Sequence, residues 1–392
     1  MNTFAWILLL LPVLVGGYAY VVYPAVLWLL GRMAPPVARR AWETLPVVTI
    51  VIPAYNEEMQ IAGAIDALLA QDYPRDHTQI LILSDASTDR TDEIVSGYAS
   101  HGVELLRMTK RSGKTAAENA SCAVIRGEIV VNSDASIRLA PSAVRELVLK
   151  MADPHVGVAS GRDVSISSDA PAVNATEAGY VGYEMAVRGL ETRTGGIVGA
   201  SGSGYAIRTH LHKIPIREDL SRDFSAALTA CRHGYSAISV DSALCAVPRT
   251  SSLHREYKRK VRTISRGMET LYYNRGLLDP MNSGLFAWKL FSHKICRWLL
   301  PVTAAPALLG LSILALNQTW ARVLLLGVLI GVSIAVAGVL WPRDKRMPRI
   351  ISLAAFGVAA NVAVLHAIWR MLHGHEDHIW EPTRRPVAIQ TS

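Results

Sequence analysis

Apolar and polar positions are spread unevenly along the chain. Residues 6–31 run without a charge (WILLLLPVLVGGYAYVVYPAVLWLLG), and further apolar runs occupy 297–316, 321–341 and 349–371. About 20 apolar residues cross a bilayer as a helix, so the pattern predicts one N-terminal and three C-terminal transmembrane helices. No basic residue precedes the first run, which is also longer than a secretory h-region; it reads as a retained helix, not a cleaved signal. Within 254–296 the stretch GLFAWKLFSHKIC mixes aromatic residues with Lys289 and Lys294, with Arg297 just beyond. That mixture predicts amphipathic helices lying in the membrane interface, in contact with lipid. A polar tail, 372–392, follows the last apolar run.

The middle of the chain, 32–253, follows another pattern. From Val47 the run VVTIVIP is β-branched and uncharged, as in a buried parallel strand. Apolar residues at Ile61, Ile65, Leu68 and Leu69 then recur at helical spacing, with Asn56 placed to cap that helix. QILILSD, VELLRM and EIVVNSD read as three further strands, with helices near 90–100 and 114–125 between them. This alternation predicts an α/β domain with a mostly parallel sheet. Asp85 and Asp134 stand at strand ends, so both belong on the carboxyl rim where open α/β sheets bind ligands. Two carboxylates there suit a phosphate ligand with a divalent cation between them. No GxGxxG follows the first strand, and the Gly113-Lys114-Thr115 tripeptide lacks the glycine-rich loop of a nucleotide-triphosphate site.

Composition narrows the class. Of 392 residues 51% are hydrophobic and 18% charged, with 28 Gly and 19 Pro, which excludes a low-complexity disordered chain. The four cysteines (Cys122, Cys231, Cys245, Cys296) have neither a disulfide-scaffold density nor paired metal spacing. The net charge of +8 suits a membrane surface or an anionic substrate. Its basic residues cluster at membrane boundaries without an aromatic platform, which argues against nucleic acid. Arg32, Arg39 and Arg40 follow the first apolar run, Arg343, Lys345 and Arg346 lie between the last two, and Asn317-Gln318-Thr319 is uncharged. The positive-inside rule then predicts a multi-pass inner-membrane protein with its N-terminus outside and 32–295 cytoplasmic. The tail falls outside, or inside if one C-terminal segment is re-entrant. His373, His375 and His378 read as part of an exposed polar tail and not as a metal site.

The segments VTIVIPAYNEE, LILSDASTDRT, KRSGKTAAEN and VVNSDAS together resemble the membrane-associated, inverting family-2 glycosyltransferases. The resemblance extends over about residues 46–270 and is nearest to bacterial polysaccharide synthases of the hyaluronan and poly-N-acetylglucosamine type. It implies a GT-A fold and a nucleotide-sugar donor, most simply a UDP-sugar. The stretch Pro53, Tyr55 and Glu57 resembles the nucleotide-binding first loop. Asp85, with Asp89 beside it, takes the position that holds the uracil and ribose, and Lys114 takes a position facing the nucleotide. The family's metal motif Asp-x-Asp reads here Asp134-Ala135-Ser136, which implies Mg²⁺ or Mn²⁺ held by Asp134, the diphosphate and water.

Inversion requires a carboxylate to take the proton of the attacking acceptor hydroxyl. The resemblance sets that residue eleven positions before a Gly-aromatic pair. Counting back from Gly234 reaches Asp223, at the start of a predicted helix, with Arg222 where relatives carry a first acid. Asp219, after Glu218, is the alternative. VGASGSGYAIR resembles the acceptor-site segment, with Tyr205 available to stack on a sugar or simply part of a tight turn. Relatives carry Gln-x-x-Arg-Trp under the active site. Here Arg262 matches the arginine that neutralises the leaving diphosphate, while Arg259 and Thr263 replace the Gln and the Trp. The expected activity is hexosyl transfer to a growing exported polysaccharide. The alternatives are a single transfer to a lipid-linked acceptor, or a non-catalytic membrane scaffold or export protein. Four spans are few for an unaided polymer channel, so a polymer product implies a homo-oligomer or an export partner.

Overall fold

A computed structural model of the chain describes residues 2–34, 40–166, 171–248, 253–341 and 347–374. The basic turn bearing Arg343, Lys345 and Arg346 lies outside the described residues, as does the tail from 375 onward with His375 and His378.

Among the described residues, eight strands form one sheet: β1 Val48–Ala54, β2 Thr78–Ser84, β3 Val103–Arg107, β4 Ile129–Ser133, β5 Arg138–Leu139, β6 Val156–Ile166, β7 Gly204–Arg208 and β8 Ser236–Pro248. Their order across the sheet is β3-β2-β1-β4-β7-β6-β8-β5. β3, β2, β1 and β4 run parallel, as the uncharged runs predict, while β7 is antiparallel to both β4 and β6. Every residue of β1 is buried. Its side chains alternate between two apolar layers, with Val48, Ile50 and Ile52 in one and Val51 in the other. Each such branched side chain contributes about 1.5–3 kcal/mol by leaving water. The order reverses between β1 and β4, so the crevice at their carboxyl ends is the switch point where a ligand fits. Asp85 follows β2 there and Asp134 follows β4.

The helix after β1 spans Ile61–Leu69 and buries Ile61, Ala64, Ile65 and Leu68. Asn56 does not cap it. The helix starts after Gln60, while Asn56 adopts a left-handed backbone (φ 52°) and accepts the Thr88 amide at 2.8 Å. An asparagine tolerates that conformation better than most residues, and here it ties the loop after β1 to the loop after β2.

Among the described residues, four helices are long and apolar enough to cross a membrane: Thr3–Met33, Pro280–Ala315, Thr319–Val339 and Ile350–Leu372. The second differs from the sequence expectation. The boundary expected between an interface helix ending at 296 and a spanning helix starting at 297 is absent, and the helical path runs through with a kink at Gly284 and a π-helical turn at Phe291–Ile295. Lys289, His293 and Arg297 on it are buried, at 1%, 3% and 9% exposure, and so do not face lipid. Their charges are answered by protein groups, which is the condition for burying a charge.

A further helix, Leu253–Tyr273, links the sheet domain to the membrane helices. Tyr257 hydrogen-bonds His366 Nδ1 at 2.9 Å and Lys260 sits 4.8 Å over the Phe356 ring, both partners lying on the last apolar helix. Another side of this helix carries Arg259, Arg262, Thr263 and Arg266 to the cavity described next. The helix thus has one side on the last apolar helix and another on the cavity, and the contacts on the first side are with protein.

Candidate active site

At the carboxyl rim of β1 and β4 lies a cavity of about 250 Å³. Glu57, Lys114, Asp134, Asp223 and Arg262 all line it, so five of the residues selected from the sequence meet in one space. Pro53, Tyr55 and Asp85 do not line it. Pro53 is buried within β1, and Tyr55 is half-buried with the Arg111 guanidinium 3.9 Å over its ring.

Asp85 is 2% exposed, and its two carboxylate oxygens accept the Ser112 and Gly113 amides at 2.7 and 2.8 Å. Gly113 needs its glycine, because φ is +93° at the residue that launches the helix Lys114–Ser121. Asp85 thus fixes the loop that aims Lys114. Asp89 works in the same way, accepting the Glu58 amide at 3.1 Å and the Thr91 amide at 3.0 Å. The Lys114 ammonium lies 2.5 Å from Asp134 Oδ1. Burial lowers its pKa, but Asp134, with Glu118 and Asp223 beyond it, outweighs burial and holds it above its ordinary value. Lys114 is therefore a fixed positive charge in the cavity.

Opposite stands the helix Arg222–Arg232, with Asp223 in its first turn. There the helix dipole favours a negative charge. Asp223 Oδ1 accepts the Phe224 amide at 2.9 Å and the Ser221 hydroxyl. Oδ2 faces Gly202, where an added Cβ would sit 2.8 Å from it. The alternative candidates do not reach the cavity: Asp219 is paired with Arg217 at 2.7 Å, and Glu218 is exposed. Tyr205 is 2% exposed inside the apolar layer on one side of the sheet and does not line the cavity, so stacking on a sugar is corrected to a core role. Its position on β7 sets this, because strand alternation turns its ring toward the layer shared with Val130 and Ile207.

Glu118, Arg266 and Asp163 are absent from the sequence analysis, and Arg222 enters it only by its place beside Asp223. Arg222, which also lines the cavity, donates to Asn119 Oδ1 and the His212 carbonyl, each at 2.6 Å, and lies 3.9 Å from Glu118. Glu118 is fully buried, and burial raises its pKa despite Lys114 and Arg222. Arg266 bonds the Leu220 carbonyl at 2.7 Å and Thr115 Oγ1 at 3.2 Å, clasping the start of the Asp223 segment to the Lys114 helix. Its position four residues after Arg262, on one helix face, was the available signal. Asp163, on β6, also lines the cavity and accepts the Ser201 hydroxyl at 2.8 and 3.0 Å. No local pattern marks it.

Residues 49–212 match the profile of the family described as Glycosyl transferase family 2. An N-acetylglucosaminyltransferase from Bradyrhizobium elkanii is 31% identical over 130 residues, 32% of this chain and 71% of that protein. The chain belongs to glycosyl transferase family 2. A probable glycosyltransferase, YdaM, from Bacillus subtilis is 34% identical over 134 residues, which span 32% of either chain. The match thus spans about a third of that curated relative's length. Among solved structures, the mannosyltransferase PcManGT from Pyrobaculum calidifontis, in complex with GDP-Man and Mn²⁺, superposes with a TM-score of 0.71. At 21% identity the alignment covers 94% of this chain and 100% of that one, which shows a shared fold. The family-2 chain accordingly has a GT-A-like domain with one membrane-length helix before it and three after it.

Proposed function

We propose that this chain transfers a hexose, with inversion, from a nucleotide-diphosphate sugar to a hydroxyl of an acceptor held at the membrane face. The reading is carried by one observation: Asp223 in the first turn of its helix lines the same cavity as Lys114, Asp134 and Arg262. One carboxylate oxygen of Asp223 takes the proton of the acceptor hydroxyl. The acceptor's hydroxyl oxygen, as it loses that proton, bonds the anomeric carbon from the side opposite the diphosphate, while the bond from the anomeric carbon to the diphosphate oxygen breaks and the nucleoside diphosphate leaves. Arg262 and Lys114 neutralise the charge gathering on the departing diphosphate. Pro53, Tyr55, Glu57 and the loop held by Asp85 form the nucleoside side, with a UDP-sugar as the expected donor.

A divalent cation, Mg²⁺ or Mn²⁺, fits the oxygen donors present. Asp134 and Ser136 line the cavity together, and among the described residues no group of three or more His, Cys, Asp or Glu could hold an ion unaided. Such a cation would be held by Asp134, the Ser136 hydroxyl, water and the donor's own phosphates, the usual arrangement for Mg²⁺ with one carboxylate. When bound it would add Lewis-acid neutralisation of the diphosphate.

Two acceptors remain in play. Motif resemblance to polysaccharide synthases supports a growing exported polymer, which would call for a homo-oligomer or an export partner. A lipid-linked acceptor taking one sugar is favoured by Thr263, which lines the cavity where the resemblance implies a tryptophan floor for a polymer. The packing of Leu253–Tyr273 on the last apolar helix keeps the cavity wall beside the bilayer in either case. The catalytic domain is assigned to the cytoplasmic face of the inner membrane by the basic segments around Arg32 and Arg343. The test is nucleotide release from a panel of UDP- and GDP-sugars by protein in nanodiscs, with and without Mn²⁺, followed by product sizing. One donor turned over and lost on chelation supports the reading. A product one sugar longer than a lipid acceptor selects the lipid-linked reading, and a ladder of sizes selects the polymer. No turnover of any donor with membrane lipids present sinks the enzymatic reading and leaves a scaffold.

A further inference from the structure

Away from the cavity, three segments meet in a buried ionic network that the proposed reaction does not use. Helix Pro171–Arg193 carries Glu184 and Glu191, two turns apart and hence on one face. The apolar helix Pro280–Ala315 opposes them with Lys289, His293 and Arg297. His293 Nδ1 is 2.6 Å from Glu191 and its Nε2 2.8 Å from Glu184, while Arg297 donates to Glu184 at 2.6 Å. Tyr23, on the first apolar helix, donates its hydroxyl to Glu191. Lys289 completes the row differently, donating to the Thr194 and Gly196 carbonyls at 3.2 and 2.6 Å. Those carbonyls sit just past the C-terminus of Pro171–Arg193, where a cation answers the helix dipole.

The segment capped in this way leads straight to the cavity. Gly195 and Gly196 have φ of +103° and +123°, and a Cβ on Gly196 would lie 2.7 Å from the Ala237 carbonyl, so the chain is pinned against β8. Glu191 also accepts the Val198 amide at 3.4 Å. A few residues on, Ser201 bonds Ser160 and Asp163, and Gly202 abuts Asp223. From the apolar helix, Lys294 also reaches this region: its ammonium is 5.3 Å from the Phe224 ring centroid and would be 3.7 Å from a Cβ on Gly199. Burying ion pairs adds little net stability, because desolvation cancels most of the attraction; their best-attested use is to fix register. A slip of one turn between these two helices would separate Glu184 from Arg297, Glu191 from His293, and Lys289 from its carbonyls together.

We infer that Lys289, His293 and Arg297 are positioning residues: they lock Pro171–Arg193 in register on the membrane helix and thereby set the 194–203 segment against Asp223. The inference deepens the proposed function and rests on it only for its kinetic arm. Among the described residues, the hydrogen bonds of the network lead to the 194–198 segment on the Asp223 side of the cavity, so its loss is expected to act there.

The test uses the full chain in nanodiscs, with Lys289→Met, Lys289→Arg and Tyr23→Phe variants. Hydrogen exchange is followed at the 194–203 amides and, as reference, along β1 and β2. In Lys289→Met, exchange over 194–203 should rise about tenfold or more, as when a hydrogen bond to a charged group is lost. The reference strands and the dissociation constant of the UDP-sugar should stay within about twofold of wild type. Turnover should fall about tenfold to a hundredfold, the range set by a displacement of about 1 Å. Lys289→Arg should restore most of both. Tyr23→Phe, which removes only one hydroxyl, should loosen the same segment less and guards against a Lys289→Met variant that fails to fold. Unchanged exchange over 194–203, or loosening spread equally over β1 and β2 with loss of donor binding, overturns the inference. If the wild type turns over no donor, the proposed function fails while the exchange arm still decides the positioning role.

Discussion

On the Lys114 side of the cavity, short loops are held by side chains bonding nearby backbone: Asp85 to Ser112 and Gly113, Asp89 to Glu58 and Thr91, Asn56 to Thr88. On the Asp223 side, the corresponding work is done by groups far apart in sequence. Arg266 reaches Thr115 and Leu220, Arg222 reaches Asn119, and Lys289 reaches Thr194 and Gly196. The first side stands on consecutive parallel strands and carries its fasteners within itself. The second is assembled from β6, β7, two helices and a membrane-length segment, so its geometry depends on how the sheet domain sits on the membrane helices. A perturbation in the apolar helices should therefore reach the second side and spare the first.

The sharpest test of that contrast is a pair of carboxylates on the second side. Asp223→Asn keeps the side-chain shape but removes the proposed proton acceptor, and turnover should fall about 10²- to 10⁴-fold. Donor affinity should be unchanged, since the proposed nucleoside site lies on the other side. Asp163→Asn should cost much less, because Asp163 accepts the Ser201 hydroxyl and its amide counterpart still can. Single-turnover rates of both variants, with calorimetric donor binding, make the comparison. Equal losses would mean that Asp163, not Asp223 alone, handles the proton.

Gly202→Ala comes next. Its Cβ would lie 2.8 Å from Asp223 Oδ2, too close for any real contact, and the carboxylate must move. The expected loss is about tenfold to a hundredfold in turnover, the scale of a misplaced reacting group. Donor binding again should hold. Asp85→Asn is the mirror experiment. Replacing a charged acceptor of two amides by a neutral one should cost about 1.5–3 kcal/mol of local stability, read as weaker donor binding and faster exchange at Ser112 and Gly113. Asp85→Asn impairing the chemical step at saturating donor would erase the distinction between the two sides.

This division also explains what could be read before the fold was known. The strands β1 to β4 and the helix at Ile61–Leu69 are local in sequence, each marked by its own period, and the rim position of Asp85 and Asp134 follows from strand ends. Asp223 and Arg262 were reachable through motif spacing. Glu118, Asp163 and Arg266 carry no such local mark, because each meets its partners only through tertiary packing. Lys289 was misread for the same reason. A lysine beside aromatic residues near an apolar run suits a lipid headgroup, and only the helix end at Thr194 and Gly196 shows that it has a protein partner. Asp85 stands at the end of β2, as its strand predicts, and its two oxygens accept the Ser112 and Gly113 amides, a pairing no local pattern marks.

The smallest expected effect concerns acid stability of the membrane-coupled side. Burial raises the Glu184 pKa, but His293, with Arg297 and Lys294, outweighs burial and holds it well below the usual carboxylate range; Glu191 is held below that range as well. A folded-state pKa below the unfolded one means that the unfolded chain binds more protons as pH drops. The stability these carboxylates contribute is therefore fully present above their unfolded pKa, about 4.3, and is lost as pH falls through their folded values. Thermal melts in nanodiscs should be flat between neutral pH and about pH 5 for this contribution and slope downward below it. Glu184→Gln should flatten that acid slope while lowering stability at neutral pH, because Arg297 then loses its ionic partner. Exchange at 194–203 should rise along the same slope ahead of β1 and β2. A uniform acid response across the sheet would show that the two sides unfold as one unit, and the contrast between them would then be confined to the folded geometry.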